Sequence, residues 1–385
     1  MNYKLPELLL DIEDGVIDLG WGHPSSSLYP SGDVRAATEV VLPNQNATAF
    51  HYGAAQGFGP FLGSLSRFLS EIETYGGDFD ERNFFLTAGA SQGFDMACTL
   101  FSETGDCVFV EEPTYFVIES IFRERGLEVI GVKTDMNGIC LQDLEDKLNK
   151  GLRPKFLYTI PTYQNPTGIS VPTGARVELV RLAEQYDFLI LADEVYQLLN
   201  FHDLPPKPMM HFDDGNRVIS FGSFSKILAP GMRTGWVHSS TEVIEKFASS
   251  AYAFSGGGLN HFSSVIIDEM IRNGAIAKNL CNLRTTLSER SDLMNDALVQ
   301  YFGSEIEFRK PAGGYYYWIK FKDGINTEEL LPISRKHGVS YRPGNAFSES
   351  GNFDQYLRLT YTLYHNDELV EGVERLFNSY IDYLR

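Results

Sequence analysis

The chain is 385 residues long with 43% hydrophobic side chains, enough to bury a large core and, beyond about 250–300 residues, to divide it between two domains. Its 32 Lys+Arg against 51 Asp+Glu leave a net charge of −19, and so acidic a surface repels phosphate backbones and anionic headgroups, which argues against nucleic-acid and membrane-surface partners. Four scattered cysteines (Cys98, Cys107, Cys140, Cys281) lack CxxC or other metal-ligand spacing, so neither a metal site nor a disulfide framework is expected.

The opening "MNYKLPELLLDIEDG" has no basic segment followed by an apolar one, and no apolar run nears the ~20 residues of a membrane span. A soluble cytoplasmic protein is the expectation. From about residue 50, short apolar runs alternate with helical patterns. "NFFLTAG", "DCVFVEEP", "LEVIGVKTD", "KFLYTIPTY", "FLILADEVY", "RVISFGSFS" and "GWVHSS" read as strands, several dense enough in Val, Ile, Leu and Phe to be buried on both faces, the mark of a parallel or mixed sheet. Between them "SQGFDMACTLFSE", "TYFVIESIFRERG" and "GARVELVRLAEQYD" space their apolar residues as helices do.

The alternation predicts an α/β/α sandwich over 48–260 with a mostly parallel sheet. A long helical stretch follows, roughly 260 to 302, and then the strands "GGYYYWIKF", "GVSYRPG" and "YLRLTYTLY". Residues 261–385 therefore read as a linking helix and a smaller α+β domain, joined by the N-terminal segment 1–47.

The unusual polar residues gather at predicted strand ends, where open α/β sheets bind their ligands. "LTAGASQGFDM" leaves the N–H groups of Gly89, Ala90 and Ser91 between a strand and a helix, a place for an anion, although taken alone it is only a turn. "ILADEVYQ" ends an apolar strand in carboxylates, which serve either strand termination or a cationic partner. "IPTYQNPTG" is a turn by composition, with an Asn-Pro bond that has access to the cis form.

Together "NPTG" (165–168), "ADEVY" (192–196), "SFSKILAPGMRTGW" (223–236) and "YLRLTY" (356–361), in this order, resemble the class I/II aminotransferases, fold-type I pyridoxal-phosphate enzymes. The likeness runs from "GWGHPSSSLYP" (20–30) to the last strands and is nearest in feel to aminotransferases acting on 2-aminoadipate and aromatic amino acids. It implies pyridoxal 5′-phosphate as cofactor and a lysine, Lys226, that forms a Schiff base with its aldehyde and later moves a proton. By the same match Asp193 keeps the pyridine nitrogen protonated, and Tyr196 and Asn165 meet the ring hydroxyl. Tyr115 stacks on the ring, a position that on sequence alone reads as a core aromatic. Ala90 and Ser91 amides after Gly89, the Ser223 and Ser225 hydroxyls and Arg233 hold the phosphate.

Tyr52 in "FHYGAAQG" matches a tyrosine that relatives pass to the neighbouring subunit's phosphate, implying a homodimer with shared active sites. The segment after it, "GFGPFLGSLSRFL", departs from the family's usual continuation. Arg358 matches the arginine that takes the substrate carboxylate, helped by Asn165 and the Gly22 backbone; taken alone, an arginine in a strand is usually a surface ion pair. The implied reaction is transamination between an L-amino acid and a 2-oxo acid, 2-oxoglutarate in the first place. The same motifs serve C–S lyases and cyclising synthases on the same cofactor, and the fold also occurs in regulators that carry an added DNA-binding segment. For the side-chain pocket the candidates are Arg342, Trp21, His23 and the "SGGGLNHF" loop.

Overall fold

The computed structural model describes residues 8–42, 48–214, 216–322 and 324–385. A two-residue strand β1 (Ile17–Asp18) comes first, then helices α1 (Ser31–Val41) and α2 (Gly59–Glu71). The unusual "GFGPFLGSLSRFL" segment is α2 itself, with Pro60 in its first turn, where a missing N–H costs nothing.

Eight strands then form one sheet: β2 (Phe84–Thr87), β3 (Cys107–Glu112), β4 (Glu128–Asp135), β5 (Gly138–Ile139), β6 (Pro154–Thr159), β7 (Leu189–Asp193), β8 (Val218–Ser223) and β9 (Gly235–His238). They lie in the order β2-β9-β8-β7-β6-β3-β4-β5. The β4-β3-β6-β7-β8 run is parallel, and β5, β9 and β2 attach antiparallel at the two edges. β2 and β8 are buried along their whole length, as a sheet covered on both faces requires.

The covering helices explain why. Side chains of α5 (Leu141–Asn149) and α6 (Thr173–Tyr186), among them Leu144, Leu148, Leu179 and Leu182, pack with Phe109, Leu157 and Ile190 of the sheet. On the opposite face α3 (Ala90–Phe101) and α4 (Phe116–Glu124) bring Phe94 and Phe122 against Tyr158, with ring centroids 5.4 and 5.8 Å away. Fully burying one such aliphatic or aromatic side chain is worth about 1.5–3 kcal/mol.

Helices α7 (Thr241–Ala248), α8 (Ala251–Gly256) and α9 (His261–Arg272) follow, then α10 (Ala275–Phe302). The helical stretch after 260 is thus two helices, broken where Gly274 adopts φ +80. Strands β10 (Ile306–Phe308), β11 (Tyr316–Phe321), β12 (Val339–Ser340), β13 (Arg342–Pro343) and β14 (Tyr356–Thr360) come last, with α11 (Thr327–Lys336) and α12 (Asn366–Tyr383). Four of them form an antiparallel sheet β10-β11-β14-β13, and β12 pairs with β1.

The chain divides into two compact units, one of 27–286 with 312–314, the other of residues up to Ser26, 287–311 and 315–385. These borders differ from those drawn on the sequence at 47/48 and 260/261. The difference lies in α1 and α9, which pack on each other within the larger unit, so 27–41 and 261–286 belong there. Among the described residues no helix is long and apolar enough to cross a membrane.

Candidate active site

In the larger unit the sequence-selected residues stand where β2, β6, β7 and β8 end, apart from Tyr52 before α2, Tyr115 after β3 and Arg233 before β9. β2 turns into α3 at Gly89, the helix N-cap, which adopts φ +91. A Cβ there would stand 2.6 Å from Arg233 Nη2, so glycine answers both the backbone geometry and the approach of the guanidinium. α3 has no acidic residue in its first turn and no side-chain cap from Gly89. Its first amides, at Ala90 and Ser91, therefore present a positive helix end.

Arg233 adds a full charge to it. Its Nη2 donates to the Ala88 carbonyl at 3.1 Å, and its Nη1 to Ser225 Oγ at 3.4 Å and the Pro230 carbonyl at 3.3 Å. Ser223 Oγ, at the end of β8, accepts from the Ser225 amide at 3.1 Å. The structure thus brings Gly89, Ser223, Ser225 and Arg233 into one run of contacts around a helix N-terminus, a donor set suited to an anion such as a phosphate.

The carboxylates beside it differ in one respect. Glu111 is met by Thr159 Oγ1 at 2.5 Å, the Ile160 amide at 3.1 Å and Gln164 Nε2 at 3.2 Å. Glu194 accepts from the Met209 amide at 2.6 Å and from Ser220 Oγ. Asp193, 7% exposed at the end of β7, accepts from Tyr158 Oη at 2.8 Å on Oδ2, while its buried Oδ1 has no hydrogen bond of standard geometry. Burial pushes the Asp193 carboxyl up to about 6, against the lowering pull of the Tyr158 hydroxyl, the Val195 amide and the Lys226 charge. A buried carboxylate with one bare oxygen is stabilised by a cationic N–H partner, so the residues present fit a protonated ring nitrogen.

Lys226 follows β8, half-buried, with Nζ 5.8 Å from the ring centroid of the buried Tyr196. Asn165, buried, sits in the loop after β6, where its bond to Pro166 is cis. Gln164 pins that loop: its Nε2 reaches Glu111 and, at 2.8 Å, the Pro113 carbonyl, and its Oε1 accepts from the Thr167 amide at 2.9 Å. Tyr115, half-buried, is the N-cap residue of α4. Tyr52 is 88% exposed.

Gly22 and Arg358 lie in the other unit. Arg358, 4% exposed on β14, donates from Nη2 to the Gly20 carbonyl at 2.5 Å. Its guanidinium stands 4.3 Å from the Tyr316 ring centroid and 4.8 Å from that of Phe347, a clamp that fixes the planar group. A Cβ on Gly22 would stand 2.2 Å from the Tyr316 hydroxyl, so this position, too, is confined to glycine. The guanidinium of Arg342 lies 5.4 Å from the Trp21 ring centroid.

The family described as "Aminotransferase class I and II" matches residues 14–376. The chain belongs to the class I and II aminotransferases. Over 378 residues this aminotransferase is 32% identical to aromatic-amino-acid aminotransferase 1 of Thermococcus litoralis, covering 97% of this chain and 90% of that one. The kynurenine aminotransferase of Pyrococcus horikoshii, solved in complex with PMP, is 30% identical and superposes with a TM-score of 0.89, covering 97% of this chain and 92% of that one. LysN, the α-aminoadipate aminotransferase of Thermus thermophilus, is 25% identical with a TM-score of 0.87, covering 96% of this chain and 93% of that one. These likenesses establish the fold-type I architecture of the aminotransferase.

The sequence reading passed over Tyr158, Glu111 and Gln164. In "KFLYTIPTY" a tyrosine of a buried strand is by default a core aromatic, and only the three-dimensional register, which pairs Tyr158 with Leu191 two residues before Asp193, shows where its hydroxyl goes.

Proposed function

We propose that the enzyme moves an amino group from an L-amino acid to a 2-oxo acid such as 2-oxoglutarate, with Lys226 as the amine that links to the cofactor's aldehyde carbon. Its cofactor is pyridoxal 5′-phosphate, which when bound supplies an electron-withdrawing ring for the negative charge left on the substrate's Cα. The observation that carries this reading is the single bare oxygen of buried Asp193, within electrostatic reach of Lys226. Asp193 would hold the ring nitrogen's proton, Arg233, Ser223, Ser225 and the Ala90 and Ser91 amides would hold the phosphate, and Tyr196 and Asn165 would donate to the ring oxygen. Tyr115 would cover the ring face. With the cofactor bound, Lys226 would serve as the base for the substrate's Cα proton.

Arg358, with the Gly22 backbone of the same unit, is the group we assign to the substrate carboxylate. The relatives named for aromatic amino acids, kynurenine and α-aminoadipate support a donor with a long or aromatic side chain. A donor panel tests the reaction. An accepted amino acid added alone should discharge the visible band of the lysine-linked cofactor once per site, and 2-oxoglutarate should restore it. Continuous product release without an oxo acid would overturn transamination.

Arg358→Ala is expected to raise the donor KM by roughly 10²-fold, since removing one partner of a buried charged pair costs about 2–5 kcal/mol. Steady-state kinetics with donor varied would show it, and an unchanged KM would release Arg358 from the carboxylate.

The reading includes a cytoplasmic homodimer, which the four free cysteines and an exposed aromatic surface support. Phe50 (71% exposed), Tyr52, Tyr252 (64%) and Phe254 (80%) stand out from the larger unit, and Phe50 packs on Phe262 at 5.9 Å. With a second copy over them, Tyr52 reaches the neighbour's phosphate. Sedimentation should return twice 43.3 kDa, and Tyr52→Phe should weaken cofactor binding by about tenfold, the worth of one hydrogen bond to a charged group. A monomer with full cofactor affinity contradicts this.

A further inference from the structure

Tyr158 is 0% exposed, and nothing in the reaction described above uses it. It lies on β6, parallel to β7 and opposite Leu191, and its ring is held edge-on by Phe94 of α3 and Phe122 of α4, each at an interplanar angle of 72°. With the ring fixed from two sides, the hydroxyl has one direction, and it donates to Asp193 Oδ2 at 2.8 Å.

The consequence is an asymmetric carboxylate. A carboxylate on a two-bond stem can turn about its terminal torsion, which is broad in isolation. Here Tyr158 ties Oδ2, which restrains that torsion, and Oδ1 is left with no hydrogen bond of standard geometry. Glu111 and Glu194, buried beside it, have partners on both oxygens and serve the loops at the strand ends. Asp193 is the one of the three left with a bare oxygen.

We infer that Tyr158 is a positioning residue for the reaction: its hydroxyl fixes Asp193 with Oδ1 toward the cofactor's ring nitrogen and keeps the carboxylate ionised. The inference rests on the cofactor reading above and adds a second layer to it. A hydrogen bond given to the charged form of an acid favours that form, and Tyr158 works in this direction against the burial of Asp193. The Val195 amide and the charge of Lys226, from the turn after β8, also favour the carboxylate, and the acids Glu111 from β3 and neighbouring Glu194 oppose it. Burial and the carboxylates around it keep the Tyr158 hydroxyl itself protonated, far above its ordinary value, so it remains a donor throughout the working pH range.

The test is Tyr158→Phe in the full-length enzyme, which keeps the ring in its aromatic slot and removes only the hydroxyl. Three readouts are taken: the dissociation constant for pyridoxal 5′-phosphate by absorbance titration, the acid limb of the kcat/KM profile, and the thermal midpoint of the cofactor-free protein. The expected result is a roughly tenfold weaker cofactor and an acid limb moved up by about one pH unit, the worth of a hydrogen bond to a charged group. In an Asp193→Asn background the same change should alter neither the cofactor dissociation constant nor the profile, because a residue that acts through Asp193 has nothing left to act on. An unmoved acid limb in Tyr158→Phe, or equal effects in both backgrounds, overturns the role of Tyr158. Near-normal turnover in Asp193→Asn alone would instead strike the cofactor reading on which the inference stands.

Discussion

Asp193→Asn is expected to lower turnover by about 10³-fold while leaving the protein folded and able to retain cofactor. The substitution keeps size and shape at a position that is 7% exposed and removes only the charge. Preorganised groups aimed at developing charge in a dry site are worth about 2.7–4 kcal/mol each when the group is a neutral donor, and a full charge in contact with the ring is expected at the upper end. Retention follows because the Arg233 contacts with Ser225 and the Ala88 carbonyl, to which we assign the cofactor phosphate, do not run through Asp193.

The pH dependence has a definite sign. Asp193 titrates at about 6 in the ligand-free chain, above its ordinary value, so it is ionised above that pH and neutral below it. Cofactor affinity is therefore full above about pH 6 and falls as the pH drops through it, whereas Asp193→Asn should be flat over the same window. The raised value also means that the ionised group opposes folding in the absence of cofactor, a penalty absent below the unfolded value near 3.8 and complete above about 6. Ligand-free Asp193→Asn should thus melt no lower than the parent at pH 7. Turnover near the parent's would remove Asp193 from the ring nitrogen.

The parts of this site that could be read from the sequence share one physical property. Asp193 ends and Lys226 closely follows an apolar, buried strand, which leaves a periodicity visible in a sequence, but their roles, and that of Asn165 in the loop after β6, came from the resemblance of the ordered motifs. Gly89 was legible for a similar reason, since a glycine between strand and helix points to a special φ, here +91. Tyr158 was not legible, because its chemistry depends on a neighbour 35 residues away across a parallel pair. Glu111 in "VFVEEP" looks like strand termination until Thr159 and Gln164 are seen to hold it. The unit borders were hidden in the same way: α1 carries no mark of belonging with α9, and that contact spans more than two hundred residues of chain.

Lys226→Ala is expected to abolish the visible band of the lysine-linked cofactor and to lower turnover by on the order of 10⁵-fold or more, because in the proposed reaction one side chain supplies both the covalent anchor and the proton carrier. The backbone around it does not depend on the lysine. Phe224, Ile227 and Leu228 are buried at 0, 1 and 3% exposure, the Leu228 amide closes a turn on the Phe224 carbonyl at 2.8 Å, and Asn279 Nδ2 donates to the Ile227 carbonyl at 2.8 Å. The variant should therefore fold and melt close to the parent, so a lost band reports chemistry and not collapse. The anion contacts of Arg233 and Ser225 also remain, so the variant should still retain pyridoxal 5′-phosphate through gel filtration, with the spectrum of the free aldehyde in place of the linked form. Retention without linkage is the combination that separates an anchoring lysine from a structural one: a lysine that only shaped the turn would, when removed, lose cofactor and stability together. A band that survives the substitution would show that another amine makes the link and would take the reaction away from Lys226.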